Sequence, residues 1–304
     1  MLYICPMNQQ VNQEHGEVQE KKIQQILVPH DFSDACTCAV SYGLMLAEIF
    51  QCELSLVHII TKKMMQQSAA PEQIEGEART RLAGIAARIQ QGSSIQTNAY
   101  VFRGPVDEVL KLIVVKINAI VLVTGLNTVN RTPQNYFSPS RLVSDYRELR
   151  IPVLVVQNKM PDRMAFSRII LPVDFTRESK EKASWAAYFG KKNLSYITVL
   201  HTEYKDGFFA VQLRNNLMLI SKLFSTLKTS YNIHKEEKIK SDIDRFALSY
   251  AKIKGAGMVI ITATRDWGID DFILGPPEQK IISNEDQLPV MMINPRDDLF
   301  VPCV

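Results

Sequence analysis

Residues able to handle a metal or an anion gather at the ends of short apolar runs. Asp31 follows Ile26-Leu27-Val28-Pro29-His30, and Asp174 follows Ile170-Leu171-Pro172-Val173. His58 and His201 sit at the ends of two further runs, and Gly125 and Ala263 close two more. His30, Asp31 and His58 would carry metal-ligand chemistry if their strands were neighbours. Val173 stands where His30 would in the second set, leaving His201 without that company. A strand-end histidine held by a hydrogen bond is the simpler reading, and no metal is assigned. The second chemistry is phosphate binding, in which glycine admits an anion close to the backbone and amides at a helix start converge on it. Gly125 with Thr128, Ser138 and Ser140 offers glycine and hydroxyls. Gly275 in "ILGPPEQKI" (273–281) offers a glycine, but Pro276 and Pro277 follow at once and have no N–H to donate. That stretch reads better as a rigid lead into a helix. Nucleophile elbows, zinc-protease motifs and Walker loops are all absent from the sequence, so no catalytic residues are assigned.

The elements that would position these residues come in two copies. "ILVPHDFSDA" (26–35) returns as "ILPVDFTRES" (170–179), with Pro29 answering Pro172 and Asp31 answering Asp174. "LSLVHI" (54–59) returns as "ITVLHT" (197–202), "INAIVLVTG" (117–125) as "GAGMVIITA" (255–263), and "RIPVLVVQ" (150–157) as "QLPVMMIN" (287–294). Ordered matches at nearly constant spacing mark a duplicated domain, with a period too long for a solenoid. The apolar runs Ile26–Val28, Leu54–Ile59, Ile120–Val123 and Val153–Val156 predict buried strands. Helices are predicted over Asp34–Phe50, capped by Ser33 or Asp34, over 72–91 with its counterpart 208–230, after Gly104-Pro105, and through Arg141–Tyr146. Thr176 is the expected cap in the second copy. Strands alternating with helices give an α/β fold: two tandem, open, mostly parallel five-stranded sheets with helices on both faces. The expected division is an extension at 1–20, domains at 21–157 and 167–297, a linker at 158–166 and a tail at 298–304.

Composition narrows the function. The 304 residues are 46% hydrophobic and 22% charged with a net charge of +3, so a nucleic-acid groove is not indicated. No run of apolar residues is long enough to span a bilayer, and a cytoplasmic protein is expected. Cys5, Cys36, Cys38, Cys52 and Cys303 show no metal spacing and read as reduced packing thiols.

The strand I-L-V-P-x-D-F-S, the second strand ending L-x-H, the "G-P-x-D-E-V-L" helix and the closing P-V-L-V-V strand together resemble a universal stress protein, in the tandem two-domain arrangement. The resemblance implies an adenine-nucleotide alpha-hydrolase-like, Rossmann-like fold. It also implies, in members that bind ATP, an Asp after the first strand for the nucleoside and a G-x2-G-x9-G-[ST] loop after the fourth for the phosphates. Placed on that pattern, the candidate nucleotide residues are Pro29, Asp31, Ile59, Gly125, Thr128, Ser138 and Ser140 in the first copy. In the second they are Pro172, Asp174 and Gly275. Both copies depart from the loop: Thr128 and Ser138-Pro139 in the first, Ala263, Asp266 and Pro276 in the second. Each hydrogen bond lost to a charged phosphate costs about 1.5–3 kcal/mol. Two losses per site lower affinity by about 10² to 10⁴.

The expectation is therefore a non-enzymatic stress-response protein with degenerate nucleotide sites, no required cofactor and at most weak ATP binding, acting through protein partners. The alternative is an ATP-binding switch or weak ATPase built on the first copy. Family members pair through their last strands, which implies intrachain pairing through 151–156 and 288–293. The outer faces would be left for a partner or for homodimerisation, and the polar 126–140 loop is a candidate contact.

Overall fold

The computed structural model describes residues 23–67, 70–126, 142, 146, 148–237, 242–263 and 278–294. Asp34–Phe50 (α1) lies between Gln25–Pro29 (β1) and Glu53–Ile60 (β2). Lys62–Gln67 (α2) and Pro71–Gly92 (α3) lead to Thr97–Arg103 (β3), then Val106–Lys116 (α4), Ala119–Gly125 (β4) and Val153–Val156 (β5). The second half runs Arg168–Pro172 (β6), Ser179–Asn193 (α5), Tyr196–His201 (β7), Gly207–Thr226 (α6), Tyr231–Lys235 (β8), Ile243–Lys254 (α7), Met258–Thr262 (β9), Glu278–Ile282 (α8) and Val290–Ile293 (β10).

Local chemistry sets several boundaries. The Ser33 hydroxyl accepts the Cys36 amide and caps α1, as the sequence predicts, and Gln51 ends it in the left-handed conformation. Thr176 does not cap α5. That helix begins at Ser179, and Thr176 instead gives its amide and its hydroxyl to Asp174. The expected helix over 72–91 spans Pro71–Gly92, with proline in the first turn, and its counterpart spans Gly207–Thr226.

The strand order is β3-β2-β1-β4-β5-β10-β9-β6-β7-β8 in one continuous sheet. Each half has the doubly wound order 3-2-1-4-5 with every neighbour parallel. The halves join where β5 and β10 run antiparallel, Val155 facing Val290 and Val153 facing Met292. The two expected five-stranded sheets are thus one ten-stranded sheet, closed at its centre by the predicted pairing of the last strands. Pairing hides two apolar edges that would otherwise expose unpaired amides and carbonyls.

Side-chain amides lock this join reciprocally. Gln157, just past β5, donates from Nε2 to the carbonyls of Ile282 and Asn284 in the second half. Asn294, its repeat counterpart just past β10, donates from Nδ2 to the carbonyls of Tyr146, Leu149 and Ile151 in the first. Hydrophobic clusters cover both faces of the sheet, and each contains residues from both halves. On one face α1 meets α5 through Phe50, whose ring lies tilted 4.6 Å from Tyr188 and edge-on 5.2 Å from Phe189. Phe166, placed in the linker by sequence, belongs to this core: it is 1% exposed and packs on Tyr42 and Phe189.

Candidate functional site

In a sheet of this order the crevice opens beyond the carboxyl ends of the strands flanking the switch in direction. These are β1 and β4 in the first half, β6 and β9 in the second. Asp31 and Asp174 both lie there, immediately beyond β1 and β6. Each does the same local work: Asp31 Oδ1 accepts the Ser33 amide at 2.9 Å, and Asp174 Oδ1 accepts the Thr176 amide at 3.0 Å. An aspartate taking the amide two residues on braces a turn without any ligand.

Pro29 and Pro172 end their strands in register with Val57 and Leu200, and Ile59 is buried opposite Phe102. Gly125 ends β4 against the start of α1. A Cβ there would lie 2.3 Å from the backbone carbon and oxygen of Ala35, so close helix packing by itself requires glycine. Thr128, Ser138, Ser140 and Gly275 lie outside the described residues, as do Asp266, Pro276, the termini and most of the 126–140 loop.

His30 and His58 form a group around Phe32. His58 Nδ1 lies 2.7 Å from the His30 carbonyl, the hydrogen-bonded strand-end role the sequence predicts. The Phe32 ring packs against both imidazoles, with centroids 5.2 Å from His30 and 4.7 Å from His58. Burial lowers the pKa of His30 to about 4 and also lowers that of His58. His30, His58 and Asp31 do not converge on a point. Among the described residues no group of three or more His, Cys, Asp or Glu is disposed to hold a metal ion. Cys36, Cys38 and Cys52 are free and buried, and burial pushes the Cys36 thiol well above its ordinary range.

The second crevice holds residues that sequence reasoning missed. Lys182, in the first turns of α5, is 2% exposed, and its Nζ lies 3.7 Å from Asp244 Oδ1 at the start of α7. Asp174 is half-buried, which works against its charge. Lys182 and the hydrogen bonds from Thr176 and Ser179 overcome that and hold its pKa below the usual value. Asp244 keeps 22% of its side chain exposed, yet its Oδ1 is enclosed. Burial raises its pKa to about 6, against the pull of Lys182 and with the help of Asp242, Asp174 and the buried Glu278 that opens α8. Asn216, from α6, ties the turn down by donating to the carbonyls of Asp174 and Thr176. These helix starts and the β6–α5 turn all lie at the carboxyl end of the sheet. The second crevice is thus lined by a lysine already matched to carboxylates. In the sequence Lys182 looks like one more charge in "SKEKASW", and nothing there signals its burial.

Residues 22–157 match the model of the universal stress protein family. A universal stress protein from Archaeoglobus fulgidus DSM 4304 superposes with a TM-score of 0.68 at 15% identity, covering 88% of this chain and 97% of that one. A functionally unknown protein from Pseudomonas aeruginosa PAO1 superposes with a TM-score of 0.57 at 13% identity, covering 91% and 94%. At such identities these likenesses speak for the fold, and they extend over both halves. No curated protein matches the sequence. Residues 22–157 therefore form a domain of the universal stress protein family, and the second half of the chain carries the same fold in tandem.

Proposed function

We propose that the chain is a non-enzymatic stress-response protein whose nucleotide crevices are degenerate and which acts in the cytoplasm through protein partners. The observation that carries this reading is the second crevice. Lys182 is matched there to Asp174 and Asp244, with Glu278 beside them, so a polyphosphate would meet carboxylates and a cation already spoken for. In the first half, Asp31 and Gly125 both have structural duties that need no ligand. A partner surface is supported on α6, where Phe208, Val211 and Met218 are 67%, 51% and 62% exposed at helical spacing. No helix among the described residues is long and apolar enough to cross a membrane.

The alternative, an ATP-binding switch or weak ATPase on the first half, has one observation in its favour. Ala39 stands at the repeat position of Lys182, so no internal ion pair fills the first crevice in that way. Purifying the protein without added nucleotide, denaturing it and chromatographing the supernatant separates the two readings. The proposal predicts no stoichiometric adenine nucleotide. One nucleotide per chain would establish the switch.

A further inference from the structure

The two halves differ on the side of the β1–α1 and β6–α5 turns that faces α3 and α6. In the second half the space beside Phe175 is filled by aromatic rings, with Phe209 stacked 4.2 Å and Tyr204 5.0 Å from it. In the first half the space beside Phe32 is an open cleft of about 440 Å³ between α1 and α3. It lies on the face of the sheet that carries both helices, beside the aspartate-braced turn that follows β1.

Its lining is rich in donors. Arg81 and Arg88 lie two turns apart on one face of α3. Neither has a carboxylate partner among the described residues, and the Arg81 guanidinium rests 4.1 Å above the Phe32 ring. His30 is 4% exposed, and its Nδ1 accepts the Phe32 amide. The neutral ring therefore carries its proton on Nε2, which no acceptor among the described residues takes. The hydroxyls of Thr37 and Thr80 donate to the carbonyls of Ser33 and Gly76, leaving their oxygens as acceptors. Phe32 and Ile85 supply apolar surface, and Gly84 leaves the middle of the α3 wall without a side chain. The carboxylate of Asp31 is turned to the Ser33 amide and does not line the cleft.

We propose that this cleft binds a small ligand with a flat apolar body and one phosphate or carboxylate group, the anion held by Arg81, Arg88 and the His30 Nε2 proton. A planar guanidinium pair suits such an anion, and a volume of this size suits a single-ring compound. Thr37 and Thr80 then accept from a hydroxyl or amino group on the ligand. The inference is independent of whether either crevice takes a nucleotide.

Phenyl phosphate is the probe, titrated into the full-length protein by calorimetry and by nitrogen-proton NMR, with inorganic phosphate and benzyl alcohol as controls. Saturable binding of phenyl phosphate is expected, tighter than either control, with the largest shifts at His30 Nε2–H and the Arg81 and Arg88 side chains. Arg81→Gln with Arg88→Gln should weaken it by roughly tenfold or more. Gly84→Leu should do likewise by filling the cleft. A Cβ at Gly84 meets no atom within 4 Å and points into open space, so this variant should fold. No saturation at concentrations of order 10 mM, far above what a ligand of this size needs in a formed site, overturns the proposal. So does binding that both variants retain, or an equal response to benzyl alcohol.

Discussion

Lys182 is a buried cation set between carboxylates from two elements. It is almost wholly buried, and it balances Asp174 and Asp244 at the position where doubly wound sheets in general open a crevice. Lys182→Met should cost about 1–3 kcal/mol, because it leaves two half-buried carboxylates without a counter-charge. Urea unfolding reads the loss, and a variant as stable as the wild type would refute the role. His30 makes a second prediction. Its folded pKa of about 4 lies below the ordinary 6.5, so the unfolded chain binds the extra proton first as pH falls. The stability this represents, about 3 kcal/mol, is fully present above pH 6.5 and is lost as pH drops towards 4. Asp244 acts in the opposite direction, its raised pKa of about 6 favouring the folded state as pH falls from neutral towards 4. Unfolding free energies measured from pH 7.5 to 4.5 should therefore tilt oppositely in His30→Gln and Asp244→Asn relative to wild type. Parallel profiles would contradict both assignments.

Among the elements, the central strands and α1 are legible in the sequence because they are buried on both faces or patterned on one. "ILVP", "LSLVHI" and "PVLVV" can hardly be anything but interior strands, and Asp34–Phe50 is predicted to the residue. The edge strands β3 and β8 are not legible. "TNAYVFR" and "YNIHK" are half exposed and mix polar with apolar residues, as an edge requires, so they lack the continuous apolar run. Of the candidate site, the sequence places Asp31, Asp174 and Gly125 at strand ends, and they lie there. The reason Gly125 is glycine, a backbone approach by α1, belongs to packing that no local pattern reports. The central join makes a prediction at this scale. Asn294→Ala removes the amide group shared by the Tyr146, Leu149 and Ile151 carbonyls, which should cost about 1–3 kcal/mol. Asn294→Gln, if its longer amide reaches the same carbonyls, should recover part of it. A neutral Asn294→Ala would show that the strands alone hold the join.

At the scale of the whole molecule, duplication has produced one sheet and two shared cores rather than two beads on a string. Neither half has a last-strand edge to offer another chain, which leaves β3, β8 and the helical faces as the outward surface. The same architecture gives each half a crevice, and the two have diverged. One is lined by an internal ion cluster, the other keeps an aspartate-braced turn beside an open, arginine-lined cleft. The central claim is that neither crevice retains a nucleotide site of physiological strength. Titration calorimetry of ATP into the full-length protein tests it most directly. The account predicts no saturable heat up to millimolar ATP. Micromolar binding that is lost in Asp31→Ala or Asp174→Ala and kept in Gly84→Leu would contradict it, and would make the chain a nucleotide-dependent switch.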